Sequence, residues 1–298
     1  MTISILIAAY HAGPFLPAAL ASIAAQTHVD WDLIVVEDGS RDATEDIVRA
    51  FASRHPGQRV LYENLGENRG VAAARNRLLA LAPGEAVAFL DADDEWRPTH
   101  LSDLCAALVS GAALAFSGIA LWDGDHHRPI GDYLPPAALV ADPRRGLFSR
   151  SFIQTSSCVG LARATVARAG WLDESLRIGE DRDYWFRALA GGGRLVCTGK
   201  ITCRYTKHEG SSMTKTLRVA SDTVAFYRKH QTAADISPLQ RRARLAEALT
   251  IHGRLLRAAD PGGASHAFGE ALRVAPWRLD RIPWLLVAWM AARRIGSA

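Results

Sequence analysis

Asp91, Asp93, Asp94 and Glu95 place four carboxylates within five positions, directly after the apolar run Ala86 to Leu90. Charges of one sign this close raise one another's pKa, so an acidic cluster ending a buried strand usually needs a cation from outside the chain. The same residues also read as a solvated turn whose aspartate caps the next helix. Two other polar groups, Tyr10-His11 and Glu37-Asp38-Gly39-Ser40, end apolar runs of their own. Gly179-Glu180-Asp181 opens an amphipathic segment, Tyr184 to Ala190, where acids favour the dipole of a first helical turn. Two common phosphate motifs are absent. Ala8 to Gly13 lacks GxGxxG, and Gly199-Lys200-Ile201 has neither the glycine spacing nor the Ser/Thr of a P-loop, which argues against a dinucleotide or Walker-type triphosphate.

The elements that must carry these groups follow from periodicity. Ile3 to Ile7 and Leu33 to Val36 are apolar on both faces, as central parallel strands are. Between them Phe15, Leu16, Ala19, Leu20 and Ile23 recur at helical spacing, with Gly13-Pro14 opening the helix. Asp42-Ala43-Thr44-Glu45 reads as a capping box before a helix whose Ile47, Val48 and Phe51 face inward. A third strand spans Arg59 to Glu63, a helix runs on to Leu81, and Ala86 to Leu90 is the fourth strand. This alternation predicts a largely parallel α/β sheet, whose ligands gather at the carboxyl ends of the strands, where Tyr10, Asp38 and the acidic cluster all fall. Farther on, Pro98 to Val109 reads as helix, Ala113 to Trp122 as strand, Asp123 to Arg150 as a loop or lid, 151 to 214 as mixed α+β, and the chain from Val219 as helical. Ala264 to Leu272 bears a faint likeness to a tetratricopeptide helix, and an ordinary packed helix describes it better.

With 298 residues, 49% hydrophobic and 22% charged, the chain suits one large globular domain or two smaller ones. Its net charge of +4 comes without a Lys/Arg block, which argues against nucleic acid and suits an anionic small molecule or a membrane surface. Four cysteines without a CxxC pair read as free thiols in a reducing, cytoplasmic compartment. The strand-like start TISILIAAY has no export-signal pattern. Ile282 to Ala292, the longest uncharged apolar run, falls short of the roughly 20 residues that span a bilayer. Flanked by Trp277, Arg278, Arg281, Arg293 and Arg294, this tail suits an interfacial helix on anionic headgroups, at the inner face of the plasma membrane. It equally suits a last helix packed on the protein or across a dimer, and the oligomeric state stays open.

In order and spacing, Ala8-Ala9-Tyr10, Val36-Glu37-Asp38-Gly39-Ser40, Asn68-Arg69-Gly70 with Ala74-Arg75-Asn76, Leu90-Asp91-Ala92-Asp93-Asp94, Gly179-Glu180-Asp181-Arg182-Asp183-Tyr184-Trp185 and His208-Glu209-Gly210-Ser211 resemble the family-2 inverting glycosyltransferases of the GT-A fold. The resemblance implies a Rossmann-like α/β fold, with a mixed, mostly parallel sheet flanked by helices. Residues 1–215 would form the catalytic domain, 1–110 binding the nucleotide-sugar and 111–215 the acceptor, and 216–298 a C-terminal helical extension. One sugar would pass, with inversion, from a nucleotide-diphosphate-sugar, most often a UDP-sugar, to a glycan or lipid-linked acceptor in surface polysaccharide or lipopolysaccharide synthesis.

The resemblance also implies roles for single residues. Asp93 would ligate Mn²⁺ or Mg²⁺, with Asp91 and His208 beside it, because hard cations prefer such oxygens and stabilise a departing diphosphate. Ala8, Tyr10, Asp38, Arg69, Arg75, Asp91, Ala92 and Asp93 would line the donor site, Asp38 and Tyr10 reading the base and the arginines pairing with phosphate oxygens. Asp181 aligns with the catalytic base, Glu180 and burial raising its pKa, and Glu180 and Trp185 would lie toward the acceptor. Other readings remain for three of these: an Asx-turn for Asp38, a surface salt bridge for Arg75, and a surface histidine for His208. Asp94 and Glu95 start the next helix or face the acceptor.

Ala8, His11 and Glu37 depart from the Pro, Asn and Asp of many relatives at the rim of the base pocket, which leaves the nucleotide open. The lack of a QxxRW-like motif favours single transfer over processive synthesis. A sugar nucleotidyltransferase would need a Gly- and Lys-containing loop after the first strand, and Ala8 to Gly13 has none. A non-catalytic nucleotide-sugar-binding protein of the same fold is the other alternative.

Overall fold

The computed structural model describes residues 1–208 and 216–277. By its contacts the chain divides into two units, Met1–Ser175 with Glu180–Ser211, and Leu176–Gly179 with Ser212–Ala298.

In the first unit β1 (Ile3–Ala9), α1 (Leu16–Ala24), β2 (Trp31–Glu37), α2 (Thr44–Arg54), β3 (Val60–Asn64), α3 (Val71–Leu81) and β4 (Ala86–Phe89) alternate. They are followed by β5 (Glu95–Trp96), α4 (His100–Val109), β6 (Leu114–Asp123), β7 (Arg128–Tyr133), α5 (Ala137–Ala141), α6 (Pro143–Ser149), β8 (Val159–Ala162), α7 (Arg163–Ala169), α8 (Glu180–Ala188) and β9 (Leu195–Lys207). Among the described residues nine strands make one sheet in the order β3-β2-β1-β4-β8-β6-β9-β5, with β7 paired to β6. From β3 to β4 every pairing is parallel, Ile3 facing Trp31 on one side and Ala86 on the other. β8 then runs antiparallel between β4 and β6, so the mixed, mostly parallel α/β sheet predicted from the sequence is the one observed.

Covering helices explain the unbroken apolar runs: β2 is buried throughout. Even its polar Asp32 is enclosed, accepting a hydrogen bond from Ser4 Oγ of β1 at 3.0 Å.

Three local expectations change. The first helix starts at Leu16 rather than at Gly13-Pro14, with Phe15 in the cap position. No capping box forms at α2: Asp42 accepts from the amides of Thr44 and Gly13, stitching two loops together, while Glu45 pairs with Arg49. The segment 123–150 is a hairpin strand and two short helices rather than an open loop. β7 is an exposed edge strand containing Pro129 and Gly131, so it shows no apolar alternation to read and is held by its main chain to β6.

The second unit contains α9 (Thr216–Lys229), α10 (Pro238–Leu256) and α11 (Pro261–Val274). Ala264 and Phe268 of α11 pack with Leu256, and Gly253 of α10 lets the Phe268 ring lie against the helix backbone, where an added Cβ would stand 3.0 Å from it. The four cysteines are unpaired, Cys158 and Cys203 fully buried. No helix among the described residues is long and apolar enough to cross a membrane. The apolar tail from Ile282 and the Glu209-Gly210-Ser211 motif lie outside the described residues.

Candidate active site

β1, β2 and β4 end side by side, and each delivers polar residues to the same edge of the sheet. After β2, Gly39 takes a left-handed backbone at φ 80°, and any Cβ there would meet the Glu67 backbone at 2.2 Å. That close approach lets the buried Asp38 carboxylate reach the next loop, where it accepts from the amides of Arg69 and Gly70, both at 2.8 Å. Asp38 therefore shapes the Asn68-Arg69-Gly70 loop and does not form a local Asx-turn. After β1, Tyr10 is 52% exposed and meets His11 edge-on at 4.4 Å. His11 adopts φ 52° and donates its amide to Ser40 Oγ, which donates in turn to Glu37. Glu37 is enclosed beneath this loop rather than standing at a rim. Arg69 is exposed and lies 3.8 Å from Glu174.

The strongest connection at this edge is made by Arg75. From α3 its guanidinium donates to Asp91 Oδ1 at 2.7 Å and to Glu180 Oε1 at 2.6 Å, joining positions up to 105 residues apart. The arginine is buried, so the surface salt bridge is not what forms. Both of its outer nitrogens meet carboxylates, so the arginine bridges two elements of the site. The sequence could not show this, because the two partners lie on separate elements.

The four acids of the cluster separate in function. Asp93 points outward, its side chain 31% exposed, and its Oδ2 lies 2.8 Å from His208 Nε2 at the end of β9. His208 stacks in turn on Phe15, ring centroids 5.6 Å apart. Asp94 is 0% exposed. It accepts from Ser157 Oγ at 2.5 Å, Thr155 Oγ1 at 3.1 Å and the Thr206 amide at 2.9 Å, so it ties the acidic loop to β9 instead of starting a helix. Ser157 also accepts from the Asp91 amide, and Thr155 Oγ1 lies 3.3 Å from Asp91 Oδ2. Glu95 pairs with Arg204 at 2.7 Å across β5 and β9. Thr155 and Ser157 escaped sequence reading because isolated hydroxyls carry no pattern.

Glu180 and Asp181 begin α8, and Trp185 one turn later is 1% exposed, edge-on to Phe89 at 5.6 Å. That indole is part of the core. Burial raises the Glu180 carboxyl to about 7 against the pull of Arg75. Burial also raises Asp181, with Arg75 opposing and Asp91 adding to the rise. Asp93 is raised by burial and by Asp91 against its bond to His208, and Asp94 is pushed far up by burial and its acidic neighbours.

Among the described residues no three or more His, Cys, Asp or Glu side chains converge as a protein-only metal cage. A partly open carboxylate whose charge is disfavoured by its neighbours, beside an imidazole, fits a hard divalent cation that completes its coordination with ligand oxygens.

Sheet order and the polar residues gathered at the carboxyl ends of the strands define an α/β protein with a candidate site at that edge. Comparison with known proteins makes this specific: the model of glycosyl transferase family 2 matches residues 4–156, and the chain belongs to that family. Similar proteins include the putative teichuronic acid biosynthesis glycosyltransferase TuaG of Bacillus subtilis, 34% identical over 47% of this chain, which spans only 55% of that protein. The succinoglycan biosynthesis protein ExoU of Rhizobium meliloti is 30% identical over 77% of this chain and 74% of its own length. The crystal structure of S. aureus TarS 1-349 in complex with UDP-GlcNAc superposes with a TM-score of 0.71 at 20% identity, over 94% of this chain and 83% of that one, and shows the shared GT-A fold.

Proposed function

We propose that the protein transfers a single sugar, with inversion, from a nucleotide-diphosphate-sugar to a glycan or lipid-linked acceptor in polysaccharide biosynthesis. The observation carrying the reading is the Arg75 bridge, which holds the acidic loop after β4 and the acid pair of α8 at one guanidinium. A leaving diphosphate and an acceptor hydroxyl need these two groups on opposite sides of one anomeric carbon. UDP is the favoured donor nucleotide, supported by the TarS complex and by an exposed Tyr10 at the strand end next to that of Asp38.

In this reading Ala8, Tyr10, Asp38 and Arg69 frame the nucleotide, with Asp91 and Ala92 beneath the diphosphate. Asp93, Asp91 and His208 would hold Mn²⁺ or Mg²⁺, which supplies Lewis-acid stabilisation of the departing diphosphate. Asp181, as carboxylate, takes the acceptor hydroxyl proton while that oxygen bonds to the anomeric carbon and the carbon–diphosphate bond breaks with its electron pair. Glu180 is fixed by Arg75 and keeps the base in line. The enzyme would work on the cytoplasmic side, at the membrane where the acceptor is lipid-linked. Calorimetry with UDP, GDP and dTDP in the presence of Mn²⁺ tests the donor site, and no binding of any of the three defeats the reading. Asp181→Asn should bind UDP as before and lose about 100-fold or more in transfer; full transfer by that variant removes Asp181 as the base.

A further inference from the structure

We propose that Asp222 of α9 is a positioning residue for the acid pair, acting through the strap Leu176–Gly179 that runs into Glu180. This rests on the reading of Asp181 as base. The strap has neither helix nor strand structure, so no regular ladder fixes its path. By its contacts it belongs with the C-terminal helices rather than with the sheet that precedes it in sequence.

Asp222 supplies what the strap lacks. Its carboxylate is 5% exposed, and Oδ2 accepts from the amide of Arg177 at 3.0 Å, the amide of Ile178 at 2.9 Å and Arg218 Nε at 2.9 Å. Two consecutive main-chain donors on one carboxylate oxygen fix the path of the strap. Leu176 is buried beside them. Only Gly179 separates these amides from Glu180, and its φ of 79° makes the left-handed turn that starts α8. Glu180 is thus held twice, by its backbone through the strap and by its carboxylate through Arg75. Asp181, the next residue, inherits its place from both anchors. Small misplacements of a reacting group cost rate much more than they cost binding. Asp222 would therefore govern turnover and leave the nucleotide site, which lies on other elements, alone.

The test uses the full chain with Asp222→Ala, Asp222→Asn and Arg218→Gln. Three quantities are read: UDP affinity with Mn²⁺ by calorimetry, kcat and donor KM for hydrolysis or transfer of a UDP-sugar, and hydrogen exchange of amides 177–182. Asp222→Ala is expected to lower kcat at least tenfold at donor KM and UDP affinity within twofold, with faster exchange across 177–182. Asp222→Asn keeps a carbonyl acceptor and should recover most of kcat, while Arg218→Gln leaves both amide bonds and should stay within twofold of wild type. A kcat for Asp222→Ala within twofold of wild type overturns the proposal, as does a joint fall of kcat and UDP affinity, the mark of a merely structural role. A wild type that binds no nucleotide defeats the transferase reading instead, and unchanged exchange in Asp222→Ala would still refute the hold on the strap.

Discussion

Asp93 and Asp94 are neighbours in sequence, yet one faces an opening and the other is sealed. Asp94 meets two hydroxyls and an amide, whereas Asp93 meets the edge of an imidazole and the field of Asp91. Both carboxyls are raised by burial, but only Asp94 has its lone pairs matched by protein donors. The contrast extends to the acid pair, where Glu180 is closed by Arg75 and Asp181 is half-buried beside it. A sealed charge holds shape, and an unsealed one next to it is available to a ligand. The acidic cluster is therefore two devices, a scaffold and a site, built from adjacent residues.

The scaffold half breaks most severely at Arg75. Arg75→Met leaves the Asp91 and Glu180 carboxylates without their shared cation, and removing one partner of a buried ion pair costs about 3–5 kcal/mol. Urea unfolding should show that loss. Arg75→Lys should recover only part of it, because a single ammonium cannot span two carboxylates as the planar guanidinium does. Next in size is a pH effect. Glu180 carries a folded pKa of about 7, above the 4.5 of the free carboxyl, so between these values the folded protein binds more protons than the unfolded chain. Stability from this group is full below pH 4.5 and falls as pH rises through 7, with a slope of at most about 1.4 kcal/mol per pH unit. Glu180→Gln should flatten that window when unfolding midpoints are compared from pH 4 to 8.

Much of this scaffold was legible in the sequence, and the unread part has a common physical character. The parallel strands declared themselves because β1, β2 and β4 are apolar on both faces, and the strand-end rule then brought Tyr10, Asp38 and Asp91 to one edge. What stayed hidden was every pairing between distant elements. Nothing local to Arg75 reveals that Glu180 lies opposite it. Trp185 lies one turn after Asp181 on α8, and its burial against Phe89 depends on a strand far off in sequence. Thr155, Ser157 and Asp222 act through hydrogen bonds to other segments, and no periodicity marks such residues. Edge strand β7 was missed because an exposed strand with Pro and Gly has no hydrophobic alternation to detect.

Asp94→Asn sharpens the comparison from the sealed side. The amide keeps the shape, but its NH₂ either faces the Thr206 amide, donor against donor, or takes the Oδ2 place and forces the Ser157 and Thr155 hydroxyls to reverse and accept. A buried unmatched group costs about 1–3 kcal/mol. Loosening the end of β9 should also weaken Mn²⁺-dependent UDP binding, since Thr206 lies two residues before His208.

Asp93→Ala should have the smallest effect on stability. The residue is bonded to a single imidazole at a partly open position, and an exposed pair of this kind is worth about 0–1 kcal/mol. Its carboxylate is disfavoured by burial and by Asp91, so removing it relieves repulsion as it deletes the bond to His208. The two contributions oppose, and the unfolding midpoint should stay close to that of wild type or rise slightly. Mn²⁺-dependent UDP binding, read by calorimetry, should fall more than tenfold in the same variant. Function lost at no cost to the fold would show that Asp93 is kept for a ligand. A large loss of stability would instead place it with Asp94 in the scaffold and remove the distinction between the two.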